Sequence, residues 1–312
     1  MVVATVGRPE RLAVLVDAVL ADPAASELVV VVDGPDRLSL AVLESLAVTR
    51  VRLHAFTVPR QGQLGALMAG VREATGDVVV LLDDDVLPAR GTIGGHLAAH
   101  RHRAAEGDPV VVVGPMPVMA VRSGRPSVAT TLYAAEYAAH LRALERGEHD
   151  VLDVLWTGNL SMRRVDCLRV GLASPTFTAH YHADQDLGFR LRRAGLSGRY
   201  EPALLAAHLH ERTDAQFLAD ARRQGEGRAA LHRAHPDRLG PFTPTRLVAD
   251  LRWPVKGAVR AIGGTELAEP TAKRLMRIGG TAAQVGWPGA QLALAKLARR
   301  LMQWRGATVP GP

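Results

Sequence analysis

Cysteine is all but absent. The single thiol, Cys167, excludes an intrachain disulfide framework and a cysteine-based zinc site, and a reducing cytoplasm is the expected compartment. Lysine is scarce as well: only Lys256, Lys273 and Lys296 occur, so the excess of seven positive charges rests on arginine. Aromatic residues make up 4% of the 312 residues, leaving Ala, Val and Leu to fill the core that a hydrophobic content of 47% supports. No apolar run reaches the ~20 residues of a membrane span, and no signal peptide is visible. Met1 leads almost directly into a strand-like segment, which suits either a trimmed N-terminus or a strand near the surface. The basic balance favours anionic partners such as nucleotides, nucleic acid or anionic lipid. Zinc-finger spacing and an aromatic RNA-binding signature are missing, so nucleic acid is not an expected partner.

What is present is alternation. Strand-like runs at 2–5, 28–32, 51–56 and 77–82 are separated by helical patterns at 10–20, 38–47 and 65–74. Short connections and right-handed crossovers then predict an α/β fold, a mostly parallel sheet with helices on both faces. Further on, helices are expected over 92–105, 127–146, 187–194 and 215–235, and strands over 110–113 and 197–208.

The centre of this pattern is the segment Gly76 to Val86. Val78, Val79, Val80, Leu81 and Leu82 read as a strand buried on both faces, and the chain then meets Asp83, Asp84 and Asp85. Three anions cannot enter an apolar core without a desolvation cost of several kcal/mol each, so they belong at the C-terminal end of the strand. Ligands bind at that end of an open α/β sheet. In an extended chain Asp83 and Asp85 point one way and Asp84 the other. Two carboxylates on one side suit a hard divalent cation, Mg²⁺ or Mn²⁺, with phosphate oxygens completing its shell; the plain alternative is a solvated acidic turn. His96 and His100, four apart on one helix, could bind a metal, but exposed helical histidines are common and no carboxylate lies near in sequence; His102 falls off that face. Asp184 and Asp186 open a helix, where acidic residues complement the macrodipole, yet two acids at i and i+2 cannot both cap.

Over residues 1 to 240 the motifs resemble, in order, those of the family 2 glycosyltransferases, which have the Rossmann-like GT-A fold. Ala4-Thr5-Val6-Gly7-Arg8-Pro9 resembles the first-strand loop that holds the nucleotide, and Val31-Val32-Asp33-Gly34 the strand end whose Asp reads the base. Gln61 to Gly70, with Gln63 at its start, is similar to the Gly- and Ala-rich helix entry. Leu82-Asp83-Asp84-Asp85 matches the metal-binding Asp-x-Asp, and Thr157-Gly158-Asn159 resembles the acceptor-side Gly-Asn. Ala183-Asp184-Gln185-Asp186-Leu187-Gly188-Phe189-Arg190 resembles the segment that carries the catalytic base, and Ala207-His208-Leu209-His210 the strand end that returns a His to the metal. One departure is Ala183, where the family usually has Glu; it bears on acceptor binding more than on base chemistry.

The resemblance implies a metal-dependent inverting glycosyltransferase. A nucleoside-diphosphate sugar would donate to an acceptor hydroxyl, whether of a glycan, a lipid-linked molecule or a small molecule. Asp184 would be the general base. Asp83, Asp85 and His208, with His210 as runner-up, would hold Mn²⁺ or Mg²⁺. Thr5, Arg8, Asp33, Gln63, Asp83, Asp84, Asn159 and Asp186 would contact substrates. A retaining transferase, a sugar-1-phosphate nucleotidylyltransferase and a non-catalytic sugar-nucleotide-binding module are the rival readings; the second would want a longer Gly-rich basic loop than Gly7-Arg8-Pro9. The expected organisation is a catalytic domain over 1–240, with a donor half at 1–115 and an acceptor and base half at 116–240, followed by a basic helical extension over 241–312. In that extension Leu247, Leu251, Val255 and Val259, then Leu292, Leu294, Leu297 and Leu301, form stripes bordered by Arg and Lys, with Trp304 near the end. Such helices suit packing on the catalytic domain, a second subunit of a homodimer, or a peripheral contact with the inner face of the cell membrane.

Overall fold

The computed structural model describes residues 1–46, 51–104, 109–119 and 127–309, with the side chains of 102–104 left aside. In chain order its elements are β1 (Val2–Thr5), α1 (Pro9–Leu20), β2 (Glu27–Asp33), α2 (Arg37–Ser45), β3 (Arg52–Val58), α3 (Gln63–Glu73), β4 (Val78–Asp83), β5 (Val86–Pro88), α4 (Thr92–Ala104), β6 (Val110–Val113) and α5 (Val128–Glu145). Then come β7 (Asn159–Arg163), α6 (Arg164–Val170), α7 (Ala183–Arg193), β8 (Ser197–Tyr200), β9 (Ala206–His208), α8 (Asp214–Ala234), α9 (Pro236–Leu239), α10 (Trp253–Gly263), α11 (Ala268–Gln284) and α12 (Pro288–Thr308). They form two compact units: Met1–Met119, Ala138–Pro175 and Ala183–Leu209 make the first, and Ala120–Tyr137, Thr176–His182 and His210–Pro312 the second.

The first unit is built on a seven-stranded sheet in the order β3-β2-β1-β4-β7-β6-β8. β1 to β4 are mutually parallel, β7 runs antiparallel to both β4 and β6, and β8 is parallel to β6. The valine-rich strands behave as their composition dictates: Val29 to Val32, Val79 to Leu82 and Val110 to Val113 are all buried, as expected of strands covered on both faces. β1 is central, not superficial. Val2 and Val3 have no exposed surface, and the Met1 amine donates to the Glu27 carbonyl at 2.6 Å, with burial pulling its pKa down to about 6.

Two departures from the sequence pattern shape the site. The single strand expected over 197–208 is two, β8 and β9, parted by a turn that contains Pro202, which has no N–H for a ladder. Strand β4 stops at Asp83, Asp84 and Asp85 form a turn, and β5 begins at Val86, so the alternation expected through all three aspartates ends at the first. Strands β5 and β9 pair antiparallel in a separate two-stranded sheet, with Val86 opposite His208.

The second unit is helical. Val128, Leu132, Leu218, Ala221, Ala272, Met276, Ala295, Ala298 and Met302 share one core, and Leu247, Val248, Val259, Leu301 and Trp304 another. Helices α8 and α12 approach until backbones touch: a Cβ on Gly225 would run into the Gln303 carbonyl, and one on Gly306 into that of Arg222. The C-terminal stripes thus pack among helices of their own unit. Trp304 is buried rather than set at an exposed edge, whereas Trp253 and Trp287 are 85% and 68% exposed. No helix among the described residues is long and apolar enough to cross a membrane.

Candidate active site

Strand register brings the carboxylates to one place. Ala4 of β1 lies opposite Asp83, so Thr5 and the loop after it reach the Asp84–Asp85 turn. Thr5 Oγ1 donates to Asp84 Oδ2 at 2.8 Å, and Arg8 donates to Asp84 Oδ1 at 2.7 Å and to Asp85 Oδ2 at 3.0 Å. Arg11, on the first turn of α1, donates to the same Asp85 oxygen at 3.0 Å and to the Leu209 carbonyl at 3.3 Å. The β5–β9 pairing places His208 beside this turn: its Nε2 is 3.4 Å from Asp85 Oδ1, and the Leu209 N–H donates to the Asp85 carbonyl at 2.7 Å. His210 lies in the second unit, stacked on Tyr133 with ring centroids 4.0 Å apart.

Asp83 has neighbours of its own. Gln63 Nε2, at the start of α3, donates to its Oδ1 at 2.5 Å. Because Leu82 pairs with Asn159 across the antiparallel β4–β7 ladder, Gly158 falls against the Asp83 carboxylate. The residue before it, Thr157, donates from Oγ1 to Asp184 Oδ1 at 3.1 Å. Asp184 sits in the first turn of α7, half-buried.

Other expected contacts are taken up by the protein itself. Asn159 is fully buried; its amide donates to the carbonyls of Leu204 at 2.7 Å and Pro115 at 3.3 Å, and its Oδ1 faces His96 Nε2 at 3.0 Å. His96 and His100 are not exposed. Both rings meet Ser161 Oγ, at 2.8 and 2.9 Å, and burial, abetted by the charge of His100, lowers the His96 pKa to about 4, so the ring stays neutral. Asp186, 2% exposed, accepts from Arg190 Nε at 2.8 Å, and Arg190 in turn donates to the carbonyls of Gly171 and Leu172. Both oxygens of Asp33 accept backbone N–H groups, from Gln61 at 2.8 Å and Gly62 at 3.0 Å, which fixes the entry to α3. Arg11 is the contributor that the sequence alone did not single out; Thr157 and Gly158 stood there only as the residues leading to Asn159 in the Gly-Asn motif. The one sign of Arg11 in the sequence is its place in the first turn of the helix that follows Arg8.

The charges are unequal by design of their surroundings. Burial works to raise Asp85, but the hydrogen bond and charge of His208, with Arg8 and Arg11, override it and hold the carboxyl at about 2. Asp84 is raised by burial, with Arg8 and Thr5 opposing. Asp83 is pushed well above the ordinary range, by burial first and then by the neighbouring charges of Asp85, Asp184 and Asp84. Burial raises Asp184 to about 6, against the pull of Thr157. Among the described residues no three His, Cys, Asp or Glu side chains converge as a complete metal cage. The donor set nonetheless fits a hard or borderline divalent cation: Asp85 and His208 are adjacent, a cation would offset the repulsion that Asp85, Asp184 and Asp84 exert on Asp83, and a nucleotide-bound ion would draw its remaining ligands from phosphate and water.

Residues 1–227 match the sequence profile of the family described as glycosyltransferase like family 2. The chain belongs to this family. Over 230 residues this family member is 27% identical to the pre-mycofactocin glycosyltransferase of Mycobacterium tuberculosis, in each of two strains; the match takes in 70% of the chain and 45% of those relatives. The chain therefore spans about half the length of the curated relatives it matches. Among solved structures, the mannosyltransferase PcManGT from Pyrobaculum calidifontis, in complex with GDP-Man and Mn²⁺, superposes with a TM-score of 0.61 at 18% identity, covering 96% of this chain and 84% of that one. TarS of S. aureus gives 0.50 at 12% identity, covering 95% and 54%. At these identities the likeness shows the fold, which is GT-A.

Proposed function

We propose that this glycosyltransferase moves a sugar from a nucleoside-diphosphate sugar to an acceptor hydroxyl with inversion at the anomeric carbon, Asp184 acting as general base. The observation that carries this reading is the setting of Asp184. It is half-buried at a helix start, held by Thr157, close enough to Asp83 for its charge to be felt there, and burial brings its carboxyl to about 6. A carboxylate poised near neutral pH can take a proton in the transition state and return it to water afterwards. The acceptor oxygen bonds to the anomeric carbon, the carbon–phosphate oxygen bond breaks with its electron pair leaving on the diphosphate, and the acceptor proton passes to Asp184.

The remaining residues bind and orient. Asp85 and His208, with Asp83, would hold Mn²⁺ or Mg²⁺, which when bound supplies charge neutralisation to the leaving diphosphate. Arg8 and Arg11 hold Asp85 in place, and Thr5 and Arg8 hold Asp84, so the first-strand loop and the acidic turn form one body facing the donor. Asp33 supports the nucleotide side, reading the base with the lone pairs its backbone contacts leave over. The complex of PcManGT with GDP-Man and Mn²⁺ supports a guanosine-diphosphate sugar and a divalent cation as the first to try.

We take residues 1–240 as the catalytic domain and 241–312 as its helical extension. Exposed Trp253, at the start of the helix that carries Lys256 and Arg260, and exposed Trp287, just before α12, support a peripheral seat on anionic lipid at the inner face of the membrane. The test of the chemistry is the product. Transfer from an α-linked donor should give a β-linked product by proton NMR; an α-linked product would replace inversion with the retaining reading.

A further inference from the structure

The chain has few aromatic residues, and a Trp and a Tyr gather with two histidines in one part of the first unit. His149 stacks on His140 with centroids 5.8 Å apart, His140 meets Trp156 edge-on at 5.7 Å, and Trp156 meets Tyr200 edge-on at 6.4 Å. Beside them opens a cavity of about 550 Å³ lined by Leu144, Glu145, His149, Val151, Arg199 and Tyr200, with the backbone of Gly198 and the ring of Pro202 completing it. We infer that this cavity is a saccharide-binding subsite for the acceptor, set beyond the reacting hydroxyl. The inference rests on the reading of the chain as a transferase to an acceptor hydroxyl.

The chemistry of the lining carries the choice of ligand. A pyranose has apolar C–H faces and a rim of hydroxyls. Tyr200, Leu144 and Val151 offer it an apolar wall, and Glu145, His149 and Arg199 offer acceptors and donors around the edge. A nucleotide would want fixed positive charge, yet Glu145 faces into the cavity and Arg199 is paired with Glu201. Burial, and then the charge of Glu145, push the Tyr200 hydroxyl up to about 12, so it remains a neutral donor at any working pH. The volume lies within the usual range of about 300–1,000 Å³ for small-molecule sites.

Position links the cavity to the reaction. Tyr200 is the last residue of β8 and pairs with Val113 at the end of β6, so it stands at the same end of the parallel strands as Asp83 at the end of β4. Three strand intervals separate β4 from β8, roughly 14 Å across the sheet, which is too far for the reacting sugar and suited to a unit further along a longer acceptor. Trp156 bridges the two regions. Its Nε1 donates to the Gly114 carbonyl at 3.0 Å, its ring meets Tyr200, and the next two residues are Thr157, on Asp184, and Gly158, on Asp83.

The test uses the full chain and separates this subsite from the donor reading. Methyl β-D-glucopyranoside, methyl α-D-mannopyranoside and cellobiose are the saccharide probes, followed by saturation-transfer NMR without donor. GDP and UDP with Mn²⁺ are followed by thermal shift on the same samples. The expected result is saccharide binding by the wild type that weakens about tenfold in Tyr200→Ala and in Glu145→Gln, the scale of one lost aromatic or charged contact, with the nucleotide shift retained in both. Glu145 is exposed, so Glu145→Gln keeps the test valid should Tyr200→Ala fold poorly. Saccharide affinity equal in wild type and variants would overturn the subsite, and so would the absence of any saccharide binding beside an intact nucleotide shift. A wild type that binds neither nucleotide would overturn the donor reading and this acceptor role together.

Discussion

Gly158 leaves room for the Asp83 carboxylate and for nothing more: a Cβ at position 158 would stand 2.6 Å from Asp83 Oδ2 and 2.7 Å from Met116 Sδ. The glycine is thus part of how Asp83 is aimed. Gly158→Ala should force Asp83 off its present rotamer, at a cost of about 1–3 kcal/mol for overpacking, and lower sugar transfer by about tenfold or more. Unfolding by circular dichroism and initial rates with saturating donor check the two parts. Full activity in Gly158→Ala would mean that the orientation of Asp83 is unimportant.

A second expectation concerns pH. With its carboxyl raised to about 6 by burial, Asp184 is protonated below that value and active as a base above it. Transfer should rise about tenfold per pH unit up to about pH 6 and then level. The stability term has the opposite direction. A folded-state pKa above the unfolded value of 3.8 gives stability that is fully present below about pH 4 and is lost as the pH rises through about 6. At pH 8 Asp184→Asn should accordingly unfold at a higher temperature than the wild type, with a gain on the order of 2 kcal/mol. A pH–rate profile flat from 5 to 8 would contradict the assignment.

Much of this was legible in the sequence because it depends on period and order. The valine runs of β2, β4 and β6 could only be buried strands, and Asp83 to Asp85 could only end one of them. The position of Asp184 followed from the family resemblance and from the start of α7. What the sequence could not disclose depends on partners distant in the chain. Whether Asn159 faces substrate or core is decided by the carbonyls of Pro115 and Leu204, and Asp186 is claimed by an arginine that clamps residues 171 and 172. The histidines of α4 carried no sign that Ser161 would meet them. β7 was unmarked because Asn159-Leu160-Ser161-Met162-Arg163 lacks β-branched residues, and its antiparallel run is what sets Gly158 against Asp83.

The exposed tryptophans make a third expectation. Trp253→Ser and Trp287→Ser together should reduce co-sedimentation with vesicles containing phosphatidylserine, while leaving the buried Trp304 core and the unfolding temperature unchanged. High salt should release the wild type as well, because basic residues add about 1 kcal/mol each near an anionic surface. Sedimentation indifferent to the two substitutions and to salt would remove the membrane seat.

The most direct test of the central claim is Asp184→Asn, assayed for both donor binding and transfer. Asparagine nearly matches aspartate in shape and can still contact Thr157, but it cannot take the acceptor proton. GDP or UDP binding in the presence of Mn²⁺ should be unchanged, and transfer should fall by about 10²-fold or more. Transfer at the wild-type rate by Asp184→Asn would contradict the account.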